Sequence, residues 1–355
     1  MPPLLRFVIR RFVYACVSLI VITMVLYAGV MLTPPAARAQ LYVPPGKDGT
    51  HPSTESFIQK IVKEYHLDDP YPMQYGYWVK SLLQGNWGYS PTLREDVLTA
   101  LLRRTSITLE LALYSLLVLI PLGIISGLLA GWKPRQPFDN TFRSLAFFGT
   151  TMPPFIFSFV LLSLFYVNLG WFAPGRLDYS ISQIIDSDAF RSYTGMVTLD
   201  GLLNGRLDVF WDAARHLVMP VLTLAMYHWA TLGRITRATI MAERGKEYLI
   251  AAKARGIPER KLMWRHALRS VLAPSLTSVA LSAASILTGV FVVEIIFGLK
   301  GISSVLVSSV SSAPDAPAAL GFAVYSVILV VSLMFLLDVA QALADPRVRD
   351  EVLKT

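Results

Sequence analysis

The 355-residue chain is 54% hydrophobic and only 16% charged, with a formal net charge of +8. That balance excludes an ordinary soluble domain. It also argues against a nucleic-acid binder, because the cations follow the ends of apolar runs rather than forming a separate basic face. Six apolar runs reach the ~17–25 residues needed to cross a bilayer as helices: 12–32, 105–131, 145–169, 217–235, 271–297 and 320–344. With the N-terminus in the cytoplasm, the inner segments hold 19 of the 32 Lys and Arg against 7 acidic residues. The longer outer segments then hold 13 basic and 14 acidic residues. This asymmetry predicts that both termini are cytoplasmic, with Arg103 and Arg104 at the outer end of the second span as local exceptions.

Arg6, Arg10 and Arg11 precede the first run. At about 21 residues that run exceeds the ~7–15 of a secretory leader, so it reads as an uncleaved span despite the cleavage-like Ala37-Arg38-Ala39 that follows. Cys16, the one cysteine, lies inside this span, which rules out an intrachain disulfide. Residues 33–104 form an outer segment of domain-like size. Its start is rich in Pro and Gly (Pro34, Pro35, Pro44, Pro45, Gly46), and a helical period places Phe57, Ile61 and Val62 on one side of 56–65. In the second span Gly123, Gly127 and Gly131 recur every four residues, a spacing that lets helix backbones approach closely in lipid. Pro121 is a candidate kink in that span, and Pro153-Pro154 is expected to interrupt and bend the third. Lys133–Arg135 reads as a short inner loop. The outer segment 170–216 is marked by Asp178, Asp186, Asp188, Asp200, Asp208 and Asp212, read as loop solvation because no calcium-loop spacing is present.

The most informative stretch is 247–274, a basic island between two apolar runs. Glu247 to Ala254 reads as a short helix, Gly256 supplies a left-handed turn, and Pro258 suits the first position of a second helix with Glu259 in its first turn. Small residues gather at this elbow, which suits docking of a partner rather than catalysis. Glu247, Ala251, Ala252, Gly256, Ile257 and Pro274 stand at the positions of the "EAA" coupling loop, and the stretch resembles that loop of bacterial ABC importer permeases. Further segments resemble the dipeptide/oligopeptide-type members. They are Leu67-Asp68-Asp69-Pro70 with Gln74-Tyr75, Gly85-Asn86-Trp87-Gly88-Tyr89-Ser90, Asp200-Gly201-Leu202-Leu203-Asn204-Gly205, Glu294-Ile295-Ile296-Phe297 and Asp345-Pro346-Arg347-Val348-Arg349. Asn86-Trp87 departs from the family's acidic-aliphatic pair, and Thr33-Pro34-Pro35 stands where PGDP is usual.

The resemblance implies an all-α membrane protein of the type I importer permease kind, with six transmembrane helices, a cytoplasmic coupling helix and an outer cap between spans 1 and 2. The expected parts are 1–32 (N-terminus and first span), 33–104 (cap) and 105–355 (core permease, coupling loop at 238–272). It further implies a second homologous permease subunit, two ABC ATPase subunits and an extracytoplasmic substrate-binding protein, all working at a bacterial or archaeal plasma membrane. Glu247, Tyr248, Ala251, Ala252, Gly256 and Ile257 are then the ATPase-coupling residues. The family also includes importers of nickel, glutathione and oligosaccharides, so the solute stays open between these and peptides.

No Walker A loop occurs in the chain, so ATP and Mg belong to partner subunits and no cofactor is expected here. No zincin, C-x-x-C or nucleophile-elbow motif occurs, and the five histidines show no metal-ligand spacing. The chain therefore reads as non-catalytic, with an intramembrane enzyme disfavoured. A stand-alone ion- or proton-coupled carrier is the alternative. It needs an intramembrane relay, and only Glu110, His228, Glu294 and Asp338 are available inside spans. Of these, His228, Glu110 and Glu294 are the candidate pathway or gate residues.

Overall fold

The computed structural model describes residues 3–39, 55–311 and 315–344. In chain order it holds α1 (Pro3–Met31), α2 (Pro35–Ala39), α3 (Glu55–Glu64), α4 (Tyr71–Leu83) and a hairpin of β1 (Tyr89–Ser90) with β2 (Glu95–Asp96). Next come α5 (Val97–Trp132), α6 (Pro137–Thr151), α7 (Pro154–Leu161), α8 (Tyr179–Ile185), α9 (Val197–Leu203) and α10 (Leu207–Glu243). The chain continues with α11 (Glu247–Ala254), α12 (Glu259–Lys261), α13 (Leu268–Phe297), α14 (Ser303–Ser311) and α15 (Ala316–Ala344). Wide π-helical turns extend α7 over Leu162–Asn168 and join α12 to α13 over Leu262–Ala267.

Five helices are long and apolar enough to cross a bilayer: Leu4–Met31, Val97–Trp132, Leu207–Glu243, Pro274–Phe297 and Ala316–Leu343. The run expected as one bent third span is two helices, Pro137–Thr151 and Pro154–Asn168, which meet at 110°. Pro153 and Pro154 are the cause. Neither offers an amide to the preceding turn, and Pro153 pushes Met152 into extended geometry. Counting this pair as one span gives six. By contrast α5 runs unbroken through Pro121. The segment Asp345-Pro346-Arg347-Val348-Arg349 and the prolines at 44 and 45 lie outside the described residues.

The described chain forms two compact units. The first comprises residues up to Thr105 with Gly301–Leu336. Within it α4 is tied to α1: the Tyr71 hydroxyl donates to the Met24 carbonyl at 2.6 Å, and Tyr27 stacks on Trp78 with centroids 4.8 Å apart. Arg38, from the cleavage-like tripeptide, is buried. It donates to Gln74 Oε1 at 2.6 Å and to the Leu67 carbonyl at 2.9 Å, beside an apolar cluster of Ala39, Ile61, Val62 and Leu67. Asp315 caps α15 by accepting the Ala318 amide at 3.0 Å, and its other oxygen accepts the Ser90 hydroxyl at 2.5 Å. Arg103 and Arg104 both reach Glu95, at 2.8 and 2.9 Å, so the exceptions to the charge rule are locally compensated.

The second unit comprises Ser106–Lys300 with residues from Leu337 onward. Its centre is the crossing of α5 and α10, where Gly123, Gly127 and Gly131 face Leu232, Gly233, Thr236 and Ile240 without room for a side chain. Beside it Asp139, fully buried on α6, accepts two bonds from Arg237 on α10, at 2.5 and 2.9 Å, and the Arg135 amide at 2.8 Å. The histidine and aspartates that the sequence scatters are partly gathered: His216 lies with Nε2 3.6 Å from Asp178 and Nδ1 2.9 Å from the Asp212 carbonyl, and the Asp178 amide donates to Asp212 at 2.9 Å. This ties the start of α8 to α10.

Asp200 organises the loop before α10. Its buried carboxylate accepts from Ser192 Oγ (2.9 Å), from Thr194 N and Oγ1 (both 2.8 Å) and from Gly195 N (3.0 Å). Burial alone would raise its pKa, but the bonds from Thr194, Ser192 and Gly195 outweigh that and hold it below the ordinary carboxylate value. A depressed folded pKa gives stability that is present above the unfolded value near ~3.9 and is lost as pH falls through the folded one. Hydrogen-exchange protection of amides 192–200 should therefore be level from pH 7 to about 5 and fall only in stronger acid. Asp200→Asn leaves donors facing an NH2 group and should lower that protection by about 3 kcal/mol at pH 7. Unchanged exchange in Asp200→Asn would show that another contact holds the loop.

Candidate functional site

The elbow after α10 is built by backbone geometry. Gly256 sits at φ +79°, its amide donates to the Lys253 carbonyl at 3.0 Å, and the Ile257 amide donates to the Ala252 carbonyl at 3.3 Å. This pair of bonds is the Schellman closure of a helix, which places a left-handed residue just past the last turn. The side chains at its two ends, Ala252 and Ile257, both pack on a buried cluster of Leu128, Ile240, Leu249, Leu262, Met263, Ala267 and Val271. α11 is thus seated by Leu249, Ala252 and Ile257. It presents Glu247, Tyr248, Ala251 and Gly256 outward. Of the six residues expected to couple, four face solvent and two hold the elbow down.

The elbow is also clasped at its start. Glu243, the last residue of α10, pairs with Lys246 and accepts the Tyr248 hydroxyl at 2.7 Å. Burial and the neighbouring Glu243 carboxylate together push the Tyr248 phenol up to about 12, so it stays a donor at any physiological pH. Pro258 stands one position earlier than the sequence suggests. It is the N-cap of α12, in extended geometry, with Glu259 as the first helical residue. Lys253 reaches Glu259 at 3.3 Å across the turn.

The intramembrane carboxylates are engaged by neighbouring side chains and backbone. Glu110, 2% exposed, accepts from Thr198 N at 2.8 Å, from Thr198 Oγ1 at 2.6 Å and from Arg176 at 3.1 Å. Glu294, also buried, accepts the Thr108 hydroxyl at 2.5 Å. His228 is buried on α10 with its ring against the edge of Tyr227, centroids 5.1 Å apart, and makes no hydrogen bond among the described residues.

A family model described as "Binding-protein-dependent transport system inner membrane component" matches residues 120–350, and the corresponding N-terminal model matches 4–112. The chain belongs to this family. Among its relatives, the di/tripeptide transport system permease protein of Pseudomonas aeruginosa is 33% identical over 80% of this chain and 83% of its own length. The dipeptide transport system permease protein of Bacillus subtilis is 27% identical over 97% of this chain and 98% of its own. A probable D,D-dipeptide transport system permease protein of Escherichia coli is 32% identical over 83% and 85%. The chain is accordingly an all-α, multi-pass membrane permease subunit.

Sequence reasoning about this inner membrane component missed the buried pairs that lock it. Asp139, two residues into α6, drew no attention in the sequence, although a carboxylate buried there needs a cation. Its partner Arg237 is 98 residues away. Arg176, which completes the Glu110 site, gave no signal in its own stretch.

Proposed function

We propose that this subunit forms the pathway of an ABC importer for peptides, and that the outward face of α11 and its elbow docks a separate ATPase. The single observation carrying this reading is the Schellman-closed elbow. It is anchored inward by Leu249, Ala252 and Ile257 and leaves the small residues Ala251 and Gly256 uncovered. A partner can approach that backbone closely, and a rigid seat transmits the approach to the span ends. The complete importer would hold a second homologous permease, two ATPases carrying ATP and Mg, and an extracytoplasmic substrate-binding protein. Solute selectivity would lie mainly in that last component. Of the intramembrane candidates, we read Glu110 and Glu294 as braces, because their carboxylates are taken up by neighbours. His228, held by packing alone, remains the pathway candidate.

This reading puts the elbow and both termini in the cytoplasm. In a Cys16→Ala background, Lys253→Cys should resist an impermeant thiol reagent on intact cells while Asp188→Cys reacts. The reverse pattern would overturn the orientation. Co-purification of an ATPase with the chain tests the partner directly, and a chain that transports alone would support the carrier reading instead.

A further inference from the structure

We propose that a basic cleft between α6 and α10, continued by an apolar slot, binds one anionic phospholipid. The proposal rests on the reading that α10 spans a bilayer, and not on ATPase coupling or on which solute is carried. The cleft has a volume of about 690 Å³ and is walled by Arg143, Arg234 and Arg237, with Phe147 and Phe148 at its rim. Arg237 is taken up by Asp139. Arg143 and Arg234 are exposed and make no ion pair or hydrogen bond among the described residues. Asp139 pairs with Arg237 and also attracts Arg143, so three arginines share one carboxylate and the cleft keeps a net charge of +2. Arginines on membrane helices are costly unless they meet water, a counter-charge or a headgroup.

The second observation is the slot. It is a smaller cavity of about 130 Å³ lined by Met152, Phe157, Thr223, Met226 and Tyr227, and it shares Phe148 with the cleft. Along α10 the slot residues lie 7 to 14 positions farther from Glu243 than Arg234 and Arg237, which is about 10–20 Å at 1.5 Å per residue. A charged pocket near the surface end of a span, with an apolar slot that shares Phe148 with it and lies deeper along α10, has the polarity of a phospholipid. The headgroup phosphate would lie against the arginines and an acyl chain would lie over Phe148 into the slot. Basic pockets between membrane helices favour anionic headgroups for this reason. A free anion would leave the slot unused. A peptide carboxylate would meet the same arginines, but its polar backbone would gain nothing from a slot walled by Met and Phe.

The test uses the purified full-length chain with its native partners. The complex is stripped of lipid and titrated with dioleoylphosphatidylglycerol or dioleoylphosphatidylcholine, with bound lipid counted by native mass spectrometry. One phosphatidylglycerol should bind well above the phosphatidylcholine level. Arg143→Gln/Arg234→Gln should weaken it by about 30-fold, from about fivefold per arginine. The double Lys variant should keep most of the binding, and this also controls for misfolding. Equal binding of the two lipids by the unmodified complex would overturn the proposal, as would unchanged phosphatidylglycerol binding in the Gln variant. Displacement by millimolar inorganic phosphate would mean a simple anion site, and displacement by trialanine would mean a solute site; either would overturn it. The readout involves neither uptake nor ATP hydrolysis, so failure of the transport reading would leave it standing.

Discussion

Gly127→Ala is expected to lower the thermal stability of the permease by several degrees or to prevent recovery of a monodisperse species. An added Cβ would strike the Gly233 carbonyl oxygen and lie 2.7 Å from Thr236 Cβ. A backbone carbonyl inside a helix cannot swing aside as the end of a long side chain can. α5 and α10 would have to separate along the whole seam, including the neighbouring contacts of Gly123 and Gly131. Alanine gains about 1 kcal/mol of helix propensity over glycine. Overpacking costs ~1–3 kcal/mol where side chains can shift, and more where they cannot, so the clash wins. Lipid offers no hydrophobic drive to hold loosened helices together, which removes the usual compensation. Thermal unfolding in detergent should show a drop of several degrees or loss of a monodisperse species. Gly29→Ala, whose Cβ meets nothing within 4 Å, serves as the neutral control. An unchanged Tm in Gly127→Ala would mean that the seam is looser than described.

Gly256→Val is expected to do the opposite: spare the fold and abolish transport. Its Cβ also meets nothing within 4 Å, so no packing is disturbed. The cost lies in the backbone, since φ +79° is left-handed and a β-branched residue tolerates that region least. The strain of about 2 kcal/mol or more is relieved by opening the Schellman closure, which is small beside the seams that hold the spans. The ATPase would then lose its seat on Ala251. Uptake and substrate-stimulated ATP hydrolysis should fall together by at least about tenfold, if docking loses as little as ~1.4 kcal/mol, while permease abundance stays normal. Gly256→Asn should recover part of the activity, because Asn accepts the left-handed region better than Val. Normal uptake by the Val complex would remove the coupling role proposed for the elbow.

The two glycines also mark what the sequence discloses and what it hides. The spacing of Gly123, Gly127 and Gly131 announces a close helix approach, and the structure supplies the partner, α10. Gly256 followed by Pro258 announces a turn, and the turn is there. Apolar runs announce spans because lipid demands unbroken hydrophobic length, and only the paired prolines at 153 and 154 turned one run into two helices. The hidden part is polar and long-range. Ser90 meets Asp315 across 225 positions, and Thr108 meets Glu294 across 186. No local pattern encodes such pairs, because each charged or hydroxyl residue reads alone as an ordinary loop or span residue. The inward turn of Ala252 and Ile257 was hidden for a related reason. A motif names positions, but only the buried cluster beneath tells which of them face a partner.

The 37 residues of α10 form one continuous helix about 55 Å long, with Pro220 removing one backbone bond inside it. Its Glu243 end is fastened to the elbow through Lys246 and Tyr248, and near its other end Asp212 and His216 hold the start of α8. Mechanically this is a lever with little slack at either attachment. A tilt of about 5° at the elbow would carry the far end through about 5 Å over that length. If the elbow moves as proposed, a flexible insertion halfway down this helix would leave both attachments intact and still absorb the motion.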